Sequence, residues 1–147
     1  MARQQPVARD LRTLIASLRI VAALDRMADL AIHLAELVVV REPEQVVPDS
    51  MKDVVRRMGA LDATLCTKVG WALYSDDEKL AAECDREDDE VDRLHREVLH
   101  RLSGPDWDEG IRAGVDLAVA ARFYERFADQ AVTVARRLVY ARTGELS

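Results

Sequence analysis

Apolar residues recur along this chain at steps of three and four, the spacing of one face of an α-helix, and no stretch shows a convincing strand pattern. Four helical segments follow from that spacing. The first runs from about Val7 to Val40; Pro6 suits a first-turn position and Pro43 lies just past the end. A short loop, Arg41 to Pro48, leads to a second helix from about Met51 to Tyr74, with Asp49 or Ser50 as candidate N-cap. Ser75-Asp76-Asp77-Glu78 reads as a capping box, which opens a third helix to about Leu102. Ser103-Gly104-Pro105 stops it, Asp106 or Asp108 caps a fourth helix to about Arg142, and Gly144 follows that end. The expected fold class is all-α.

The first and fourth helices repeat each other at an offset of 100 residues. Leu24-Asp25-Arg26-Met27-Ala28-Asp29 matches Tyr124-Glu125-Arg126-Phe127-Ala128-Asp129, and Arg12 matches Arg112. The fourth-helix seam of Leu117, Ala120, Tyr124, Phe127, Ala131, Val134 and Leu138 has a bundle-like period. Its equivalents in the first helix are Ser17, Ile20, Leu24, Met27, Ala31, Leu34 and Val38. Only the second copy has two helices in front of it. Residues 49–147 therefore read as a complete three-helix up-down unit, and residues 1–48 as the remnant of an equivalent unit. A lone amphipathic helix cannot bury its own seam, so the first helix must pack on the bundle or on a partner; a homodimer that exchanges first helices is one way to supply that partner.

At 147 residues the chain suits one compact domain. Its 49% apolar content excludes a disordered tail. A formal charge of −6 argues against nucleic acid, whose phosphates require a basic surface. No stretch reaches the roughly 18 apolar residues of a spanning helix, so no membrane insertion is expected. Cys66 and Cys84 lie inside helical patterns and read as buried small hydrophobes, which fits a reducing, cytoplasmic setting.

The acidic residues carry the candidate chemistry. With Tyr124 at a and Phe127 at d of a heptad, Glu125 and Asp129 stand one turn apart on a face directed away from the core, since four residues advance about 400°. Asp25 and Asp29 hold the same place on the first helix. Like charges at i, i+4 cost a helix a few tenths of a kcal/mol, and two oxygens so placed can hold a hard or borderline cation. From Asp76 to Glu97 there are 11 acidic and 4 basic residues. Within that run Asp88 and Asp92, again at i, i+4, could meet Glu125 and Asp129 across the groove between the third and fourth helices. The competing reading is a solvated, salt-bridged face, with Arg86, Arg93, Arg96, Arg122 and Arg126 as the pairing cations. His33, four residues after Asp29, and His95, three after Asp92, are weaker ligand candidates; His100 reads as surface, Trp71 as core and Trp107 as a loop anchor. No nucleotide loop, nucleophile elbow or Ser/His/Asp order is present, and the residues point to no enzyme.

Gln4-Gln5-Pro6-Val7-Ala8-Arg9-Asp10-Leu11-Arg12, the two six-residue repeats and Asp88-Asp89-x-Val91-Asp92 together resemble the PhoU family of phosphate-uptake regulators over almost the whole chain. The resemblance implies two tandem three-helix bundles whose paired (Glu/Asp)-x-x-x-Asp motifs hold metal on the bundle surface. Carried over, Glu125, Asp129, Asp88 and Asp92 are the metal-site residues of the complete bundle, and Asp25 and Asp29 those of the first. It implies a bound Fe, Mn, Mg or Zn ion, and a non-catalytic adaptor that represses phosphate uptake and the phosphate-starvation response. The implied partners are the ATPase subunit of a phosphate ABC transporter and a membrane sensor histidine kinase. The first two helices of the family's first bundle have no counterpart here, which leaves Asp25 and Asp29 without partner carboxylates in the chain. A metal-dependent carboxylate-bundle enzyme and a purely structural helical module are the alternatives; the former needs inward-facing Glu with Glu-x-x-His, which these motifs lack.

Overall fold

The computed structural model describes residues 4–75 and 79–144, and among them it contains helices and loops but no strand. Helix α1 spans Gln4–Arg41, a 3₁₀ turn Asp49–Met51 leads into α2 (Lys52–Tyr74), and α3 (Lys79–Leu102) and α4 (Gly110–Thr143) complete the chain. The expected all-α class holds. Helices α2, α3 and α4 pack on one another as an up-down-up bundle, and α1 lies along α4.

Each bundle helix contributes an apolar row at three- and four-residue steps. Val55, Met58, Leu65 and Val69 come from α2; Cys84, Val91, Leu94 and Val98 from α3; Leu117, Ala121, Ala128 and Ala135 from α4. Small residues on α4 let two helices approach it closely on that side. On α1 the row that meets α4 is Ala16, Ile20, Ala23, Met27 and Leu30. This row is rotated from the expected one: Ser17, Ala31 and Val38 are exposed, because among the described residues α1 packs chiefly along α4.

Polar contacts fix the antiparallel run of α1 on α4. Arg41 clamps Asp116 with Nε and Nη2 at 2.5 and 2.6 Å, His33 packs its ring 5.4 Å from that of Phe123, and Arg12 lies over Gly144. Asp116 is buried, so this bidentate pair satisfies a charge that would otherwise be costly there. Gly144 adopts φ 84° and ends α4 in the left-handed conformation, its N–H bonded to the Tyr140 carbonyl. A Cβ there would also collide with the Arg12 guanidinium.

Several local expectations are corrected. Neither Asp49 nor Ser50 caps α2: Asp49 pairs with Lys52 inside the 3₁₀ turn, and Ser50 bonds Glu109. Glu109, not Asp106 or Asp108, precedes α4, because Gly110 with φ 85° turns the chain one residue later. The capping box lies largely outside the described residues. Cys84 is buried but Cys66 is exposed, and Trp71 is 67% exposed, since both fall on the outer side of α2. Trp107 does anchor its loop, donating its indole N–H to the Gly110 carbonyl at 3.0 Å.

Candidate metal-binding carboxylate site

The antiparallel packing of α3 on α4 brings two of the paired motifs onto one groove. The Asp88 carboxyl is pushed up to about 7, first by burial and then by the charges of Asp129, Asp92, Asp89 and Asp85. Asp129 is raised by burial and by Asp92, and Glu125 by burial, Asp129 and Asp92. Asp92 and Asp129 thus act on both Asp88 and Glu125, and Asp92 acts on Asp129, which ties the α3 pair to the α4 pair across the groove. Like charges gathered in a partly dry groove favour protonation or a bound cation.

A fifth acid lies beneath them. Asp62 of α2 is 6% exposed, and its carboxyl is pushed up to about 8 by burial and by Asp88. Oδ1 of Asp62 and Oδ1 of Asp88 are both buried with no hydrogen-bond partner. Tyr124 fills the same layer: its ring contacts Gly59, and its hydroxyl is raised by burial and by Asp62. Asp62 was not among the candidates, yet the sequence carried its signal. It interrupts the row Val55, Met58, Leu65, Val69 at a position where the period demands an apolar residue.

Cations contest part of the groove. Nη1 of Arg122 lies 2.6 Å from both carboxylate oxygens of Glu125. The rest of the acidic run is largely neutralised elsewhere: Lys68 bridges Glu83 and Glu87 at 2.8 and 2.7 Å, Arg57 and Arg93 hold Glu90, and Arg136 reaches Asp85 at 3.0 Å. Among the expected cations Arg93 and Arg122 make such pairs; Lys68, Arg57 and Arg136 from the facing helices and Arg101 of α3 supply others. Asp88 and Asp62 receive none of these partners. As the side chains stand, no group of three or more His, Cys, Asp or Glu among the described residues is arranged to hold a metal ion.

The first-helix pair is separate. Asp25 and Asp29 are exposed on α1, and Asp29 has only a 3.9 Å contact with Arg26. His33 is occupied against Phe123, which places it in the α1–α4 contact rather than beside a carboxylate. His95 is lowered by burial and by Arg122; it sits at the edge of the quartet.

Comparison with known proteins places the whole chain. It matches the PhoU domain family over residues 1–38 and 55–138. It is 39% identical over 144 residues to the "Phosphate-specific transport system accessory protein PhoU homolog 2" of Mycobacterium tuberculosis, which covers 98% of this chain and 68% of that protein. Against "homolog 1" of Mycobacterium leprae the identity is again 39%, covering 98% and 65%. The archaeal "homolog 1" of Methanothermobacter thermautotrophicus is 30% identical over 147 residues, 99% of this chain and 67% of that protein. The chain spans about two thirds of the length of these relatives.

Proposed function

The chain belongs to the PhoU family, and on that premise we propose that it is a non-catalytic accessory protein of phosphate-specific transport that represses phosphate uptake and the phosphate-starvation response. In this reading it works in the cytoplasm as an adaptor between the ATPase subunit of a phosphate ABC transporter and a sensor histidine kinase. The names of its relatives support the transport role, and the groove chemistry supports an adaptor: the quartet contains oxygen acceptors and no nucleophile held by a base.

The proposal includes a metal ion at Asp88, Asp92, Glu125 and Asp129. The donor set suits it, because hard oxygen ligands match Mg, Mn or Fe, and Zn less well. The observation that carries this is the pair of buried, unpartnered oxygens on Asp88 and Asp62. When bound, the ion would neutralise the groove and offer open positions to an anionic oxygen such as phosphate. Loading requires Glu125 to leave Arg122, so the guanidinium acts as an internal competitor. Asp25 and Asp29 would form a second such site only with acids from outside α1.

Titration calorimetry with Mg, Mn, Fe and Zn ions tests the metal. Wild-type chain is expected to bind one of them, Asp88→Asn/Asp129→Asn to lose most of that affinity, and Arg122→Gln to gain. Equal heats for all three proteins refute the site. Co-purification with the transporter ATPase from phosphate-replete cells tests the adaptor role; absence of the complex refutes it.

A further inference from the structure

Where α3 stops and α2 and α4 begin, the α3–α4 loop walls an open-mouthed cavity of about 370 Å³. None of its lining residues belongs to the carboxylate quartet, so it stands apart from any metal bound there. One wall is aromatic and fixed. Trp107 is half-buried, and its indole N–H is donated to the Gly110 carbonyl. Its Nε1, Cε2 and Cζ2 lie 3.4–3.6 Å from where a Cβ of Gly114 would stand, so the bare backbone of α4 at that point seats the ring. Met51 and Pro105 add apolar lining.

The polar lining is lopsided. Asp106 and Asp108 flank Trp107 in the chain and are exposed; among the described residues neither accepts a hydrogen bond nor joins an ion pair. Glu109 accepts the Ser50 hydroxyl at 2.9 Å and keeps its charge. The guanidinium of the lining, Arg101, is already paired with Glu97 and rests against the Met51 sulfur, and His100 is exposed beside it. Lys52 and Arg112, the next cations along the chain, are held by Asp49 and Glu44. Carboxylates in excess therefore surround a rigid aromatic surface.

We propose that this cavity receives an arginine side chain of a partner protein, with its guanidinium on the Trp107 ring and its N–H groups on Asp106 and Asp108. An aromatic wall favours an organic cation over a metal ion, which takes oxygen ligands alone. The surplus of carboxylates repels phosphate and acidic segments. A planar guanidinium can stack and fork to carboxylates at once, which a lysine ammonium cannot. The volume falls in the range of small-ligand pockets, enough for one long side chain and its flanking peptide groups.

The chain has two tryptophans, and Trp71→Phe leaves Trp107 as the sole indole; Trp71 is 67% exposed, so the fold tolerates the change. In that background acetyl-Gly-Arg-Gly-amide is expected to change the emission saturably, with a midpoint in the millimolar range, and added salt should weaken it. The matching lysine peptide should bind several-fold more weakly, and the glutamine peptide should give no response. Asp106→Asn/Asp108→Asn is expected to lose about tenfold in affinity for the arginine peptide at an unchanged melting temperature, since neither carboxylate has a partner to lose. No response to the arginine peptide, equal binding of the lysine or glutamine peptide, or affinity that survives Asp106→Asn/Asp108→Asn would each overturn the proposal. Free arginine binding as tightly as the blocked peptide would make the occupant a small solute. Mn alone giving the response, and losing it in Asp106→Asn/Asp108→Asn, would make it a metal site; either result also overturns the proposal.

Discussion

Replacing Asp62 by Asn isolates the cost of the buried acid. In the unfolded chain its carboxyl titrates near 3.8, and in the fold near 8. Between those values the native state retains a proton that the unfolded state has released. Stability therefore falls as pH rises, by about 1.4 kcal/mol per pH unit for one proton. From pH 5 to pH 7 the loss at this group alone is about 3 kcal/mol, which in a domain of this size moves the midpoint by roughly 5–10 °C. An amide of the same shape does not titrate. Asp62→Asn should unfold close to wild type at pH 5 and progressively above it toward pH 8, in metal-free buffer. Circular dichroism melts of the two proteins across that range measure the gap. A gap that stays constant with pH would show that Asp62 is ionised in the fold, or that its proton is not what couples the bundle to pH.

Further outcomes follow from single contacts. Leu94→Ala, at a fully buried α3 position, should cost about 2–5 kcal/mol and lower the urea midpoint at unchanged slope. Gly144→Ala should destabilise by about 1–2 kcal/mol, since alanine resists φ 84° and its methyl meets Arg12; a parallel melt of Arg12→Ala/Gly144→Ala should recover part of the loss. Arg41→Met leaves buried Asp116 without its clamp, and hydrogen exchange should quicken over the last turns of α1 before the bundle itself loosens. Millimolar Mn should raise the melting temperature of wild type more at pH 7.5 than at pH 5.5, because the quartet must shed protons to bind; no pH dependence would count against carboxylate ligation.

Helix number and type were legible because the apolar period runs through every segment, and the end of α4 was legible because Gly144 marks a stop that a left-handed residue supplies; the N-terminal caps of α2 and α4 were not. That acids of α3 and α4 face one groove was legible too, since antiparallel neighbours place two i, i+4 pairs side by side, although among the described residues they do not gather into a group of three or more arranged for a metal ion. Other features were hidden for physical reasons. Trp71 and Cys66 lie on the outer side of α2, and an apolar side chain carries no mark of which side it faces when a helix is apolar on more than one. The rotation of α1 depends on its packing chiefly along α4. Arg126 adjoins Glu125 in sequence, yet it is Arg122, three residues before it on the helix, that pairs with it. Asp62 was readable as a break in the α2 period and went unread because it matched no paired motif.

Helix α4 serves two masters: it seats α1 along one flank and closes the acidic groove with the other. Its circumference is therefore nearly all spoken for, and substitutions there should be tolerated far less often than on α1, half of whose surface touches nothing in its own chain. The Arg41–Asp116 clamp and the His33–Phe123 contact tie α1 to that same helix, so a displacement of α4 would carry α1 with it.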